Sequence, residues 1–200
     1  MEEVPWFEYE EDDLNVTQRL FVDVLAERAS SWQVDPLDTV VVPPANASDR
    51  ELIVWVDIVD PQRHRGILTV GAHFNGSEIH ADKLHNQHFS LPDGVTEFSF
   101  TAAGNPTGLA ERTAAWFEAI LARPLVRCEW QHRGRTYAVR YEFADTGRGL
   151  TEGFEEALAP RRLRERFAAE GIVRGRGRIN RAGLGEPDLT TRIRGGQADQ

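Results

Sequence analysis

The amino-acid sequence predicts an α+β protein in which helices pack on one face of an antiparallel sheet of five to six strands. Three observations predict this class. Short apolar segments that alternate with period two are separated by turn residues, which is typical of antiparallel strands. Segments with helical period flank them, in the order α-β-β-β-β-α-β-β-α. The hydrophobic residues, 40% of a 200-residue chain, are enough to build a core.

An acidic segment, residues 1–13, precedes the first predicted helix, and we expect it to form a flexible arm. Three aromatic residues lie among its acids and are expected to dock on the folded part: Trp6, Phe7 and Tyr9. The helix that follows begins at Asn15, and Gln18 lies three positions later, as a capping box requires. An apolar stripe then continues this helix to about residue 30.

Four strands are predicted between this helix and the next. "ELIVWVDIVD" (51–60) is apolar on both faces in its middle, which is typical of a central strand. "GILTVGAHFNG" (66–76) ends in Asn75-Gly76, a strong hairpin signal, and "SEIHA" follows as the third strand. "VTEFSFTA" (95–102) alternates with period two and is the fourth strand.

The second half of the chain begins with a predicted helix over residues 105–121, where Pro106 suits the first helical turn. "LVRCEWQHRGRTYAVRYEF" (125–143) predicts a hairpin. We expect Trp116 of the helix and Trp130 of the hairpin to be buried. A third helical stretch is predicted around "TEGFEEAL" and "PRRLRERFAAEG", and a Gly- and Arg-rich remainder is expected to be extended or disordered.

Three segments of different composition are predicted: an arm at 1–13, a single α+β domain at 14–170 and a tail at 171–200. Charge is unevenly distributed along them. Residues 1–60 carry fifteen acids against three arginines, a net charge of −12, whereas residues 161–200 carry ten arginines against five acids, a net charge of +5. The whole chain is acidic at −9, so an acidic head and a basic tail can attract each other or an oppositely charged partner.

Composition excludes several classes of function. The single lysine, Lys83, lies in "ADKLH", which fits neither a phosphate-binding loop nor the lysine of a common nuclease motif. The apolar runs are shorter than the roughly 18 residues of a membrane helix, and the acidic N-terminus lacks the features of a secretory signal. We therefore expect a cytoplasmic protein without a membrane segment and without a cofactor.

The order of elements and the acidity resemble two groups of small α+β proteins, over residues 14–160. These are the acidic chaperones of secretion systems and the bacterial YbjN-type domains. The resemblance implies an antiparallel sheet covered by helices.

Histidines concentrate in one stretch, "GSEIHADKLHNQHFSL" (76–91). With the residues just before it, this stretch supplies the candidate ligands of a metal site: His73, His80, Asp82, His85 and His88. Imidazole and carboxylate groups bind zinc and iron, but the spacing of these residues matches no common metal-binding pattern. The alternative is a polar loop whose histidines are solvated or bind carbonyl groups. We expect that loop, and purified protein without a stoichiometric transition metal.

One strand face is a candidate protein contact. Its members are Ile53, Trp55, Asp57 and Val59. Because Asp57 shares the face with the apolar residues, we expect a surface that is covered only partly or only in a complex, with an exposed Trp55 indole at its centre.

The arginines of the tail form a candidate anion site: Arg174, Arg176 and Arg178. Nucleic acid is not the expected ligand, because the segment lacks aromatic residues for base stacking and the whole chain is acidic. The sequence therefore favours a non-enzymatic protein-interaction module, resembling a chaperone, an immunity protein or a regulator, that binds another protein or a second copy of itself. A metal-binding protein or metal-dependent enzyme and an anion or nucleic-acid binder are the alternatives.

Overall fold

The computed structural model describes residues 5–34, 38–44, 51–85, 89–169 and 181–195. The chain divides into two compact units, Met1–Ala122 and Arg123–Gln200, and the division lies within the predicted domain of residues 14–170. The predicted α+β class with antiparallel sheets is confirmed. The described strands form two sheets, one of five and one of four strands, instead of the single sheet of five to six strands that we predicted.

The first unit contains a five-stranded antiparallel sheet in which each strand pairs with the next along the chain. Its strands are β1 (Asp38–Val42), β2 (Leu52–Asp60), β3 (Arg65–Phe74), β4 (Glu78–Lys83) and β5 (Phe100–Ala103). The turn between β3 and β4 is the predicted Asn75-Gly76 hairpin. The Asn75 side chain accepts the Glu78 N–H at 2.9 Å, and Gly76 has a φ of 106°, which glycine adopts without strain.

Two helices complete the first unit, α1 (Val16–Ala29) and α2 (Pro106–Leu121). The predicted capping box of α1 is confirmed, because the side chains of Asn15 and Gln18 each accept the backbone N–H of the other at 3.0 Å. Asn105 caps α2 by accepting the Gly108 N–H at 2.8 Å. Each cap satisfies a backbone donor that the helix itself leaves without a partner.

The core of the first unit lies between the two helices and one face of the sheet. Helices α1 and α2 pack against each other, and Phe21 of α1 stacks on Phe74 of β3 with ring centroids 4.3 Å apart. Alternate residues of β2 on this face are fully buried: Leu52, Val54 and Val56. Burial of each such side chain contributes about 1.5–3 kcal/mol to folding.

The second unit contains a four-stranded antiparallel sheet in the order β8-β7-β6-β9. Its elements are β6 (Leu125–His132), β7 (Arg135–Phe143), β8 (Arg148–Phe154), α3 (Arg161–Ala169), α4 (Arg181–Leu184) and β9 (Leu189–Arg194). The predicted β6–β7 hairpin is confirmed. It turns at Arg133 and Gly134, whose φ angles of 52° and 75° are those of a two-residue hairpin turn with right-handed strand twist.

Trp130 lies at the centre of the second unit's core, as predicted, with 1% of its surface exposed. Its indole N–H donates to the Gly185 carbonyl at 3.0 Å. The other buried members of this core are Cys128, Tyr137, Ala138, Phe154, Ala159 and Phe167. In the first unit Trp116 is half-buried, and its indole donates to the Phe98 carbonyl at 2.9 Å.

The predicted helix over "TEGF" is wrong, because these residues belong to strand β8. Gly149 of β8 leaves room for the guanidinium of Arg140 on β7. A Cβ at position 149 would lie 2.7 Å from a nitrogen of that guanidinium. Pairing with β7 therefore decides the structure of this segment. Part of the predicted tail is also ordered, since Leu189–Arg194 form β9 and pair with β6.

The fourth predicted strand is shorter than "VTEFSFTA" suggests, because β5 begins only at Phe100. Residues 96–99 form a turn in which the Thr96 N–H donates to the Ser99 hydroxyl at 2.6 Å. Among the described residues, no helix has the length and apolar character needed to cross a membrane.

Candidate functional site

The N-terminal arm is held on the first unit by the buried ring of Phe7, which is 1% exposed. Its centroid lies 5.8 Å from that of Phe117 and 6.3 Å from that of Trp32. The backbone N–H of Phe7 donates to the Thr39 hydroxyl at 2.8 Å, which ties the arm to β1. A φ of 54°, uncommon for a residue other than glycine, turns the chain sharply at this point.

The docked arm forms a groove together with α1 and β1, with a volume of about 620 Å³. The half-buried rings of Trp6 and Tyr9 line it from the arm. Helix α1 contributes Ala26, and strand β1 contributes Val41. Trp6 is supported by an edge-to-face contact with Trp32, whose ring centroid is 5.1 Å away. The groove therefore presents aromatic and aliphatic surface that the fold holds in place.

The rest of the lining is strongly acidic. Three exposed carboxylates contribute to it: Glu8, Glu10 and Asp13. No lysine, arginine or histidine is among the described residues that line the groove. Because the lining carries negative charges and no positive ones, the groove attracts cations.

Tyr9 is tied to helix α1 by a hydrogen bond to a carboxylate outside the groove lining. Its hydroxyl donates to the Asp23 carboxylate at 2.7 Å. This hydrogen bond, followed by partial burial and the negative charge of Asp23, raises the pKa of Tyr9 to about 12. The hydrogen bond holds the Tyr9 ring against α1, where it lines the groove.

The expected exposure of Trp55 is wrong, because only 6% of its surface is exposed. The ring of Phe89 stacks on it with centroids 4.1 Å apart. Its indole N–H donates to the Asp57 carboxylate at 3.1 Å. Ile53 and Val59, the other residues of this candidate contact face, are half-buried. The chain between β4 and β5 thus covers the centre of the strand face that we interpreted as a protein contact.

The candidate metal ligands have separate partners. His73 lies between the Phe89 carbonyl, 2.9 Å from its Nε2, and the Glu51 carboxylate, 3.0 Å from its Nδ1. Asp82 is buried and accepts hydrogen bonds from the hydroxyls of Thr96 and Ser99.

The remaining histidines of the candidate set do not join these two. His80 is exposed, with its Nε2 3.9 Å from Glu78, and His85 is exposed beside a β-bridge to Ser90. His88 lies outside the described residues. Within the described ranges, no group of three or more His, Cys, Asp or Glu side chains could hold a metal ion.

The arginines of the candidate anion site, Arg174, Arg176 and Arg178, lie outside the described residues. A second cavity, of about 530 Å³, lies in the second unit. Tyr137, Leu163 and Arg166 are among its lining residues. Because residues 170–180, which lie between lining residues of this cavity in the sequence, are outside the described ranges, the N-terminal groove is the better defined candidate.

Sequence reasoning identified the rings of the arm but missed the groove that they form. The signal that could have found it is the interleaving of acids with aromatic residues in "WFEYEEDD" (6–13). This pattern keeps carboxylates beside rings on a short segment, but it does not say which surface the segment docks on. Comparison with known proteins adds nothing to this assignment, since no family model, no curated protein and no solved structure matches the chain.

Proposed function

We propose that the protein is a non-enzymatic module that binds another polypeptide, and that the groove of the N-terminal arm is its binding site. The observation that carries this proposal is a groove of about 620 Å³ whose aromatic walls are fixed by a buried anchor, Phe7. Aromatic residues supply much of the affinity of protein interfaces, because they bury large areas at a low cost in side-chain entropy.

The position of the groove favours a polypeptide over a small molecule. Strand β1, which contributes Val41, is an edge strand of the five-stranded sheet. Among the described residues, its outer edge pairs with no other strand. An edge strand offers backbone donors and acceptors to an incoming chain, while the neighbouring groove receives its side chains.

The chemistry of the groove supports binding over catalysis. Its charged groups are exposed carboxylates, its one phenol is bonded to Asp23, and no Ser, Cys, Lys or His lies among its described lining residues. Covalent catalysis usually pairs a nucleophile with a base. As the sequence predicts, we place this binding in the cytoplasm, with another protein or a second copy of the chain as the partner.

Affinity capture followed by reconstitution tests the proposal. Tagged full-length protein captures partners from the cells that make it, and each purified partner is titrated against variants. Trp6→Ala should weaken binding at least about tenfold, a loss expected when an aromatic contact at the centre of an interface is removed. An exposed pair outside the groove, Asp93→Asn with Glu118→Gln, is the matched control. If Trp6→Ala binds every partner as tightly as this control does, the groove is not the site.

Elemental analysis tests the metal alternative. We expect purified protein to carry no stoichiometric transition metal, because His73 and Asp82 are already bonded to residues of the fold. About one zinc, iron or manganese ion per chain would contradict this and favour a metal-dependent function.

A further inference from the structure

We propose that the groove takes residues 174–178, "RGRGR", of a second copy of this chain, so that copies associate head to tail. This inference rests on the proposed function and names the partner of the same site. It brings together the acidic, aromatic groove and the arginine segment, which the sequence places at opposite ends of the polypeptide.

Charge and shape in the groove suit arginine. A guanidinium group stacks on aromatic rings and hydrogen-bonds carboxylates in the same plane, and the groove offers both through Trp6, Tyr9, Glu8 and Glu10. The glycines between the arginines carry no side chains that would keep the backbone from the groove.

The chain itself contains a segment of the charge that the groove attracts, and a second copy can supply it. The first 60 residues carry a net charge of −12, and the last 40 carry +5, of which three charges lie within 174–178. When the basic tail of one copy meets the acidic arm of another, unlike charges therefore lie together. Because the groove and the segment are different surfaces, the contact is heterologous and continues from copy to copy unless it closes into a ring.

Sedimentation velocity on full-length variants tests the inference. The groove variant carries Glu8→Gln and Glu10→Gln, two exposed positions, and the tail variant carries glutamine at Arg174, Arg176 and Arg178. Wild-type protein should associate with rising concentration, and each variant alone should associate about tenfold more weakly, since two or three exposed ion pairs are lost. The control Asp93→Asn with Glu118→Gln should behave as wild type.

Mixing the two variants gives the decisive result. The intact groove of the tail variant should bind the intact segment of the groove variant, so an equimolar mixture should stop at a 1:1 dimer. Higher salt should dissolve that dimer, because exposed ion pairs are screened.

Three results would overturn the inference: a monomeric wild-type protein, variants that associate as wild type does, or a mixture that stays monomeric. A synthetic peptide of residues 172–180 that binds the tail variant while wild type stays monomeric also excludes the second copy as the source. If self-association is absent but a captured partner still requires Trp6, the inference fails and the proposed function stands.

Discussion

Trp55 and Trp130 each lie at the centre of a packed cluster, one in each unit. Trp55 is enclosed by Phe89 and bonded to Asp57, and Trp130 is enclosed by the core of the second sheet and bonded to the Gly185 carbonyl. Both indoles therefore combine nearly complete burial with a satisfied N–H, which is the arrangement that makes a tryptophan costly to remove.

We expect Trp55→Ala to lower the free energy of unfolding by about 3–5 kcal/mol, as much as Trp130→Ala, because each leaves a cavity of an indole's size. Denaturant melts measure both. Trp55→Phe is the control that keeps a ring against Phe89 while losing the bond to Asp57, and it should cost less. A loss below about 1 kcal/mol for Trp55→Ala would show that Phe89 does not cover this side chain in solution.

Tyr9 should ionise at about pH 12, and Asp23→Asn should bring its ionisation back toward 10.0. The folded pKa lies above the unfolded one, so the contribution of this phenol to stability is full below pH 10.0 and is lost as the pH rises through about 12. The difference between the ultraviolet titrations of wild type and Tyr9→Phe isolates this group. If the difference between the two titration curves has its midpoint near pH 10, the hydrogen bond between Tyr9 and Asp23 is contradicted.

Residues whose partners lie close in the sequence were predictable, whereas residues covered by distant parts of the chain were not. Asn15 and Gln18 form a capping box between positions three residues apart, and Asn75-Gly76 makes its own turn, so spacing alone identified them. The cover of Trp55 comes from Phe89, 34 positions later, in a segment whose polar composition gives no sign of it. For this reason the sequence placed a protein contact on a surface that the chain covers itself.

At the scale of elements, one buried carboxylate ties the segment between β4 and β5 to strand β4, in addition to the contacts of Phe89 with Trp55 and His73. Asp82, 4% exposed, accepts the Lys83 N–H at 2.6 Å and the hydroxyls of Thr96 and Ser99. These bonds bring the end of the segment back to the strand from which it leaves. The segment is therefore part of the folded sheet.

Asp82→Asn should lower the free energy of unfolding by about 1–3 kcal/mol, because an amide nitrogen would face a buried hydroxyl donor. Amide hydrogen exchange should show faster exchange at Thr96 and Phe98, whose N–H groups bond within this turn. Asp93→Asn, on an exposed part of the same segment, is the control. Unchanged exchange in Asp82→Asn would mean that the carboxylate does not hold the segment.

Deleting residues 172–200 should abolish cooperative unfolding of the second unit. The deletion removes β9 from the edge of β6 and removes the carbonyl that accepts the Trp130 indole. Deleting only 196–200, beyond β9, is the control and should leave the melt unchanged. A truncated chain that still melts cooperatively would show that three strands and α3 are sufficient. The composition of residues 172–200 alone predicted the opposite result, a domain that stays folded without them, because the apolar periodicity of the sequence ends near Phe167.

The elements that the sequence missed depend on partners far along the chain. β9 pairs with β6 across about 60 positions, and β8 is a strand because β7 lies beside it. Alternation and caps identify an element from its own residues, but they cannot assign it to one of two sheets. The fold class could therefore be predicted, whereas the number of sheets could not.

At the scale of the whole molecule, the acidic charge and the groove come from the same part of the chain. The acidic first 60 residues include the arm, and the arm carries the acids and rings of the groove. The acids and the rings can be read from the sequence. The structure shows that the buried ring of Phe7 holds them on the first unit, where they line a groove. The acidic arm favours rapid encounter with a basic segment of a partner, at a rate that salt reduces.

Hydrogen exchange of the full-length protein, free and bound to a captured partner, tests the central claim most directly. If the groove is the binding site, the partner should slow exchange in residues 5–13 and in β1, Asp38–Val42, which lie along it. Residues 125–143, in the other unit, serve as the internal reference and should exchange equally in both states. Protection confined to other regions, with the arm and β1 unchanged, would contradict the account.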